Sequence, residues 1–535
     1  MPRMTGGEAL AKSLYLEGVR VIFGLPGVQL YHALDGLAKE PGIRFVTTRH
    51  EQATAYMADG YARAGGEGVA TAMMVPGPGL LNASAAIGTA YSASSPIMVV
   101  SGQIERDFIG VNRGMLHEVN DQIDAIKPVT KFARRALDPA EIPDMVHEAA
   151  HHLKNGRPRP VEIEVPPETL AEVADIELLE PEASRPPTAS PQQIATAAEM
   201  LAGAANPLIW AGGGAISSEA SQALLKVAEH LQAPVVMTPE GKGSISDKHY
   251  LSMGGLWMRN DIIGKAPFGH DVILALGTRL ATPQLLDGQK VIQIDIDTEE
   301  LGRNYSDTYG INADARQAME SIYTALTEKM PARASREAEI EEAKARRSEA
   351  QVTVEPQASL LKAVRSALPD DGILISGMTQ LGYYSRGQFP VYEPRTYLTS
   401  SYFGNLGYAY PTALGAKVAQ PGKAVVALSG DGGFLFNSQE MATAVQHGIN
   451  AVVIVFNDNA YGNVLRDQMT RFEGRAYGAE LHNPDFVKLA EAYGARGVRA
   501  EGAAELEAAL TEALNVDAPS LIEVPVGSMP YPYTL

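Results

Sequence analysis

Short, β-branched apolar runs recur along the chain, and most of them end on a turn built from glycine, proline or an acidic residue. The clearest pair lies at residues 424–429 and 451–456. Both are short and lack polar alternation, the pattern of strands buried on both faces of a parallel sheet. The first runs into Gly430-Asp431-Gly432 and the second into Asn457-Asp458-Asn459. Between them Asn437 is placed to cap a helix with Glu440 three residues on, Met441, Ala444 and Val445 supply its apolar stripe, and Gly448 stops it. The stretch is predicted to be a βαβ unit.

The same alternation organises the rest. Residues 7–17 are helix-like, 21–23 form a strand entering Gly24-Leu25-Pro26-Gly27, and 43–48 form a strand entering Arg49-His50-Glu51. A helix is expected over 52–63, which puts Glu51 at a strand-to-helix junction. A carboxylate there has a mundane use, since acids favour helix N-termini by about 0.3–1 kcal/mol. Strands follow at 69–75, broken by Pro76-Gly77-Pro78-Gly79, and at 97–100 and 161–165. A linker rich in Pro, Glu and Ser spans 180–191. Beyond it, strands are expected at 207–211, 234–237, 272–276 and 291–296, with Gly212-Gly213-Gly214 after the first. That turn is a weak nucleotide signal, because Ser217 stands where the last glycine of G-x-G-x-x-G belongs and no strand-end acid follows. Residues 337–350 read as a solvated charged helix, and a strand at 373–376 opens the last segment. The expected fold is α/β with three doubly wound parallel-sheet segments, 1–175, 190–330 and 350–535.

Composition narrows the function. The 535 residues are 45% hydrophobic and carry a net charge of −19 with no Lys/Arg-rich block, which argues against nucleic acid or an anionic membrane as partner. There are no cysteines, so thiol catalysis and thiolate metal sites are excluded. The start has no apolar segment after its single Arg, and no apolar run nears the 18 or so residues of a membrane span. A cytoplasmic location is the expectation.

If the 424–429 and 451–456 strands are neighbours, about 4.8 Å apart, Asp431 and Asp458 emerge side by side at the carboxyl edge of the sheet. Two carboxylates so close call for a cation. Mg²⁺ suits them, because it takes oxygen ligands and commonly completes its shell with phosphate oxygens. Gly-Asp-Gly alone can be only a turn. The second acid, 27 positions on at the end of the next strand, is what points to a metal-held phosphate.

This stretch resembles the thiamine diphosphate (ThDP) binding motif, in which GDG is followed at this spacing by NN or ND. The resemblance extends over nearly the whole chain. Residues 23–27 (FGLPG), 49–52 (RHEQ), 58–64 (ADGYARA), 77–79 (GPG), 101–103 (SGQ), 127–133 (KPVTKFA) and 157–166 (RPRPVEIEVP) are similar to the acetohydroxyacid (acetolactate) synthase-like branch of ThDP-dependent enzymes. That family orders its domains as pyrimidine-binding, central and diphosphate-binding, which matches the three segments.

The resemblance implies roles residue by residue. Asp431, Asp458 and the Ala460 carbonyl would hold Mg²⁺, and Gly430, Gly432, Gly433, Gly462 and Gln380 would line the diphosphate. Pro26 and Gly27 would border the cofactor. Leu406 would be the apolar wedge beneath it, and the Gly404 carbonyl the acceptor for its amine. For Leu406 taken alone, ordinary core packing is the better reading. Glu51 would hydrogen-bond the pyrimidine nitrogen. Moving a proton there turns the exocyclic amine into an imine able to take the thiazolium proton. Val28, Val75, Leu116, His117 and Asp467 would line the substrate pocket, and His117 could shuttle protons near neutral pH or be structural.

The departures concern substrate. Asp467 stands where acetohydroxyacid synthases carry an aromatic residue, and Arg279-Leu280-Ala281-Thr282-Pro283 replaces their flavin segment; both changes argue against true acetohydroxyacid synthase activity, and the second argues against FAD. Val75 stands where benzoylformate decarboxylase uses His. The implied activity is a ThDP- and Mg²⁺-dependent lyase or carboligase. It would decarboxylate a 2-oxo acid and pass the acyl carbanion to an acceptor such as an aldehyde, in a homodimer or homotetramer. The alternatives are an acyloin or 2-hydroxyacyl-CoA lyase, a catalytically silent regulatory relative, and a nicotinamide oxidoreductase built on the Gly212 turn.

Overall fold

The computed structural model describes residues 1–255, 269–281, 285, 288–350 and 353–531, save the side chains of 347, 349 and 350. Each of the three segments contains a parallel sheet with helices on its faces. The first sheet is built from β1 (Val21–Gly24), β2 (Arg44–Thr47), β3 (Ala70–Met74), β4 (Ile97–Gly102), β5 (Phe132–Arg135) and β6 (Val161–Val165). Its order is β2-β1-β3-β4-β6-β5, all parallel. The order reverses between β1 and β3, and a ligand crevice forms beyond the carboxyl ends of strands at such a switch. The turns that open there carry Pro26, Gly27, Val75 and Gly77.

The second sheet holds β7 (Pro207–Ala211), β8 (Val235–Met237), β9 (Ser252–Gly255), β10 (Val272–Leu276), β11 (Lys290–Asp295) and β12 (Thr308–Asn312), in the order β9-β8-β7-β10-β11-β12. A Cβ at Gly212 would lie 2.3 Å from the Gly277 carbonyl oxygen, and one at Gly214 would lie 2.6 Å from the Gly277 Cα. Backbone packing therefore accounts for these glycines without a nucleotide. Thr282 and Pro283 lie outside the described residues. Within the same segment Arg279 pairs with Glu300 at 3.5 Å.

The third sheet includes β13 (Ile373–Ser376), β14 (Val425–Gly430), β15 (Val452–Asn457), β16 (Arg496–Arg499) and β17 (Ser520–Pro525), running β13-β14-β15-β17-β16. The two opening apolar runs are adjacent, as expected, and Gly430 pairs with Phe456 in parallel register. The strands β9, β12, β16 and β17 carry no distinctive turn signal and were not expected.

By compactness the described chain divides into two units. One comprises residues 1–184, 373–379 and 400–528, and the other 185–372, 380–399 and 529–535. Within the first unit, α1 (Glu51–Arg63) packs on α2 (Ala409–Ala419) almost backbone to backbone. A Cβ at Gly60 would sit 2.0 Å from the Thr412 carbonyl oxygen, and one at Gly415 would sit 1.9 Å from that of Met57. Only glycine permits this approach, so α1 and the Glu51 at its head are fixed by close contact.

Three local expectations are corrected. Helix α1 begins at Glu51 rather than Gln52, with the His50 ring nitrogen capping it by accepting the Gln52 N–H at 3.1 Å. Asn437 does not cap the helix α3 (Glu440–His447), whose N-terminus has no side-chain cap. Its amide instead donates to Gln52 Oε1 at 3.0 Å and to the Gly407 carbonyl at 2.9 Å, a use not visible in local sequence. Met441 and Ala444 are buried, but Val445 is 39% exposed and lies outside the stripe. Gly448 ends α3 in the left-handed region, as expected.

Candidate functional site

Two clusters of the expected residues form in the first unit, each at the carboxyl end of a sheet. The first gathers on the turns after β1, β2 and β3. Glu51 is buried, and Asn82 Nδ2 donates to its Oε2 at 3.0 Å. Asn82 lies one turn into α4 (Pro78–Ala93), the helix that follows the Gly77 turn. A Cβ at Gly79 would come within 2.8 Å of Val75, so glycine is needed there for packing, and it would lie in ordinary contact, 3.6 Å, with Glu51 Oε1, the oxygen that Asn82 does not hold. Val75 is itself buried and would meet a Cβ at Gly27 at 2.2 Å. Pro26 is exposed, and Val28 and Leu116 are 51% and 61% exposed.

His117 joins this cluster through its backbone and its ring. Its φ is +70°, an uncommon value for a side-chain-bearing residue. A Cβ at Gly77, itself at φ +55°, would lie 2.1 Å from the His117 carbonyl oxygen. The ring Nδ1 is 3.0 Å from Gln29 Oε1, while Gln29 Nε2 donates to the Leu116 carbonyl at 3.2 Å. Gln29 therefore holds one ring nitrogen and leaves Nε2 for other partners.

The second cluster forms where β14 and β15 end. Asp431 is buried at the start of a short helix, Asp431–Phe434. Burial raises its carboxyl above the usual range despite donors from the Gly432 backbone and Asn483. Asp458 is pushed up to about 7 by burial and then by the Asp431 charge. Two acids that resist ionising together would both ionise readily beside a cation. Ala460 is buried, and its N–H donates to Asp458 Oδ1 at 3.2 Å. A Cβ at Gly462 would lie 2.0 Å from Asp458 Oδ2, and one at Gly432 would lie 2.6 Å from Tyr461, so both glycines are required by the turn. Leu406 is half-buried, and its Cδ2 lies 3.8 Å from a Cβ placed on Gly433, which puts it beside the GDGG turn. Gly404 adopts φ +70°.

Among the described residues no three His, Asp or Glu side chains converge on one point. A cation at Asp431 and Asp458 would thus complete its shell with backbone and ligand oxygens, the shell that Mg²⁺ accepts from a diphosphate. The residues present fit both groups.

The remaining expected residues are placed differently. Gln380 is buried at the start of the helix Gln380–Gln388, in the second unit. Asp467 lies on α5 (Gly462–Arg471), a helix with no fully buried residue, five positions beyond Gly462 and so about 7.5 Å along its axis. Its carboxylate approaches Arg471 at 3.7 Å.

Sequence reading missed Asn82, Gln29, Gln122 and Asn483. Asn483 Nδ2 donates to Asp431 Oδ2 at 2.6 Å and to Asn457 Oδ1 at 3.0 Å, tying the first acid to the end of the second strand. The available signal was weak: for Asn82, a lone amide in a run of Leu, Ala and Ser; for Asn483, an amide before Pro484.

Three thiamine pyrophosphate enzyme family models match the chain: the N-terminal TPP binding domain over residues 4–125, the central domain over 194–322 and the C-terminal TPP binding domain over 377–524. The chain belongs to the thiamine pyrophosphate enzyme family. It is 34% identical to a probable 2-ketoarginine decarboxylase of Pseudomonas aeruginosa, over 97% of this chain and 94% of that protein. It is 33% identical to a probable acetolactate synthase large subunit of Methanocaldococcus jannaschii, over 97% and 92% of the two chains. With the acetolactate synthase isozyme 3 large subunit of Escherichia coli K12 it shares 32% identity over 96% and 93%. The protein is a ThDP-dependent enzyme of acetolactate synthase and 2-ketoarginine decarboxylase type, within the decarboxylase and carboligase class. None of its described helices is long and apolar enough to cross a membrane.

Proposed function

We propose that the protein cleaves a 2-oxo acid next to its carbonyl group, with loss of CO₂, using ThDP held by Mg²⁺, and passes the acyl unit to a carbonyl acceptor. The observation that carries this reading is the environment of Glu51. It is a buried carboxylate at the head of a helix, with one oxygen fixed by Asn82 and the other not held by that amide.

When bound, ThDP supplies a carbon nucleophile and an electron sink. The chain supplies everything else. Asp431, Asp458 and the Ala460 carbonyl hold Mg²⁺, while Gly430, Gly432, Gly433 and Gly462 leave room for phosphate oxygens beside it. Leu406, against Gly433, would give the cofactor an apolar support, and the Gly404 carbonyl would accept from its amine. Glu51 holds and returns a proton at Oε1, the oxygen that Asn82 does not hold. His117, with Nδ1 occupied by Gln29, moves a proton at Nε2 beside Val75 and Leu116.

A second copy of the chain completes this site. The exposed apolar residues Val28, Tyr31, Leu81 and Leu116 flank the Glu51 cluster, and Phe436, 47% exposed, flanks Asp431. Burying these against a partner removes apolar surface from water. The functional unit is then a homodimer or a pair of homodimers, without flavin.

One feature favours a second reading of the acyl unit's fate. Asp467 puts an acid where the acetolactate-forming pattern has an aromatic residue. An acid there suits a 2-oxo acid with a cationic side chain, decarboxylated and released by protonation, as the name of the Pseudomonas relative suggests for that protein. A panel of 2-oxo acids with neutral, anionic and cationic side chains, incubated with and without aldehyde and read by mass spectrometry, tests both. CO₂ release from none of them would overturn the proposal.

A further inference from the structure

Behind the Glu51 cluster runs a buried polar network that the chemistry above does not use. Its centre is Gln122, fully buried in the segment after His117. Gln122 Oε1 accepts the Gly77 N–H at 2.7 Å. Its Nε2 donates to Glu164 Oε2 at 2.5 Å and shares contacts with Ser101 Oγ and the Gly102 carbonyl, both at 3.0 Å. Glu164 also accepts from Gln103 at 3.0 Å and from Arg135. Beside it on β6, Glu162 is fully buried and takes the Ser101 hydroxyl at 2.6 Å. Three side chains therefore fix one carboxylate, and that carboxylate fixes the amide that holds Gly77.

The Gly77 end of this network lies against His117, beside the Glu51 cluster. Gly77 presses on the His117 carbonyl, with a hypothetical Cβ at 2.1 Å, and both residues sit at positive φ. Glycine adopts that region freely, but His117 carries a side chain, and such a residue at positive φ persists where its surroundings over-determine it. Resting on the 2-oxo acid reading above, we propose that Gln122 is a positioning residue that fixes the Gly77 turn, and through it the backbone at His117, and so sets the pocket that receives the substrate. The amide is the needed group because it accepts from Gly77 and donates to Glu164 at once. An aliphatic side chain does neither, and a carboxylate does only the first.

Two variants test this in the holoenzyme. Gln122→Leu removes both bonds, and the expected result is a KM raised about tenfold or more with a smaller change in kcat and an unaltered ThDP affinity. The His117 ring resonance, assigned by its loss in His117→Asn, should shift in the same variant, whether or not a substrate is known. Gln122→Glu keeps the shape. Protonated, it accepts from Gly77 and donates to Glu164. Ionised, it faces Glu164 and Glu162, with Arg135 the cation on that side. Its kcat/KM should therefore approach wild type at low pH and gain a fall with rising pH that wild type lacks. Unchanged KM and His117 resonance in Gln122→Leu would overturn the assignment. So would superimposable pH profiles for wild type and Gln122→Glu, which decides the matter if the Leu variant does not fold. A wild-type enzyme inactive on every 2-oxo acid, with the His117 resonance still moved by Gln122→Leu, would reject the 2-oxo acid reading and leave the positioning role supported.

Discussion

Asn82 holds Glu51 by a 3.0 Å hydrogen bond to one carboxylate oxygen, from a helix that starts at the neighbouring Gly77 turn. A hydrogen bond to a charged group contributes about 1.5–3 kcal/mol, and here its effect is on orientation. Asn82→Ala should lower kcat by about tenfold to a hundredfold and leave ThDP affinity within about threefold, since the diphosphate and its metal carry most of the binding. Steady-state kinetics with calorimetric titration of ThDP checks both. An equal loss in affinity and turnover would make Asn82 a binding residue instead.

The two acids of the second cluster differ in what they tolerate. Asp431→Ala removes the buried carboxylate proposed to hold Mg²⁺, which Asn483 also braces, and Mg²⁺-dependent ThDP binding should disappear. Asp458→Asn should be mild, because Asn keeps an oxygen donor and replaces a carboxyl that burial, and then the Asp431 charge, already raise to about 7. Isothermal titration at fixed Mg²⁺ separates them. Unchanged affinity in Asp431→Ala would contradict the metal assignment.

Glu440 supplies a pH dependence of stability away from the metal. Both its oxygens accept the Arg49 N–H at 3.2 Å, two residues before Glu51, and Thr443 donates to it at 2.7 Å. Burial pushes its carboxyl from 4.5 up to about 7. The folded chain therefore binds this proton more tightly than the unfolded one. The associated stability is fully present below pH 4.5 and is lost as pH rises through about 7. The loss is on the order of 3 kcal/mol. Glu440→Gln keeps an acceptor and cannot ionise, so its apparent Tm should fall less between about pH 5 and 8 than that of wild type. Parallel Tm curves would show that Glu440 does not carry the effect.

Asp467 is expected to govern the fate of the acyl unit. It projects from α5, whose residues are all at least partly exposed, and its described ion-pair partner is Arg471. Asp467→Trp should shift the product ratio with competing acceptors, or lower turnover of cationic 2-oxo acids, while the ThDP Kd stays constant. A collapse of ThDP binding with a fixed product ratio would remove Asp467 from the pocket.

What could be read from sequence was what depends on periodicity and on turn chemistry. The strands ending at Gly430 and Asn457 announced themselves by unbroken apolar runs, and their parallel neighbourhood then placed Asp431 beside Asp458. Gly448 was legible as a helix stop because a left-handed end position favours glycine. Asn437 was misread because a local cap and a distant contact with Gln52 call for the same amide. Asn82, Gln29 and Gln122 act across 31, 88 and 45 residues of sequence, and nothing in their flanks marks such partners. Edge strands β9, β12 and β16 follow the same rule, since they are set by the sheet they join.

The central claim is that Glu51 is the activating acid rather than a helix-terminal charge. A positioned proton-transfer group contributes about 10²–10⁴ in rate, whereas a helix-terminal charge contributes only about 0.3–1 kcal/mol of stability. Glu51→Gln separates the two, because it keeps size and the Asn82 side of the hydrogen bond while removing acidity. The direct measurement is exchange of the thiazolium proton of bound ThDP for deuterium, followed by quenched-flow NMR. The expected result is a folded variant that binds ThDP and Mg²⁺ normally and exchanges at least about 10²-fold more slowly than wild type. Exchange at the wild-type rate in Glu51→Gln would contradict the claim.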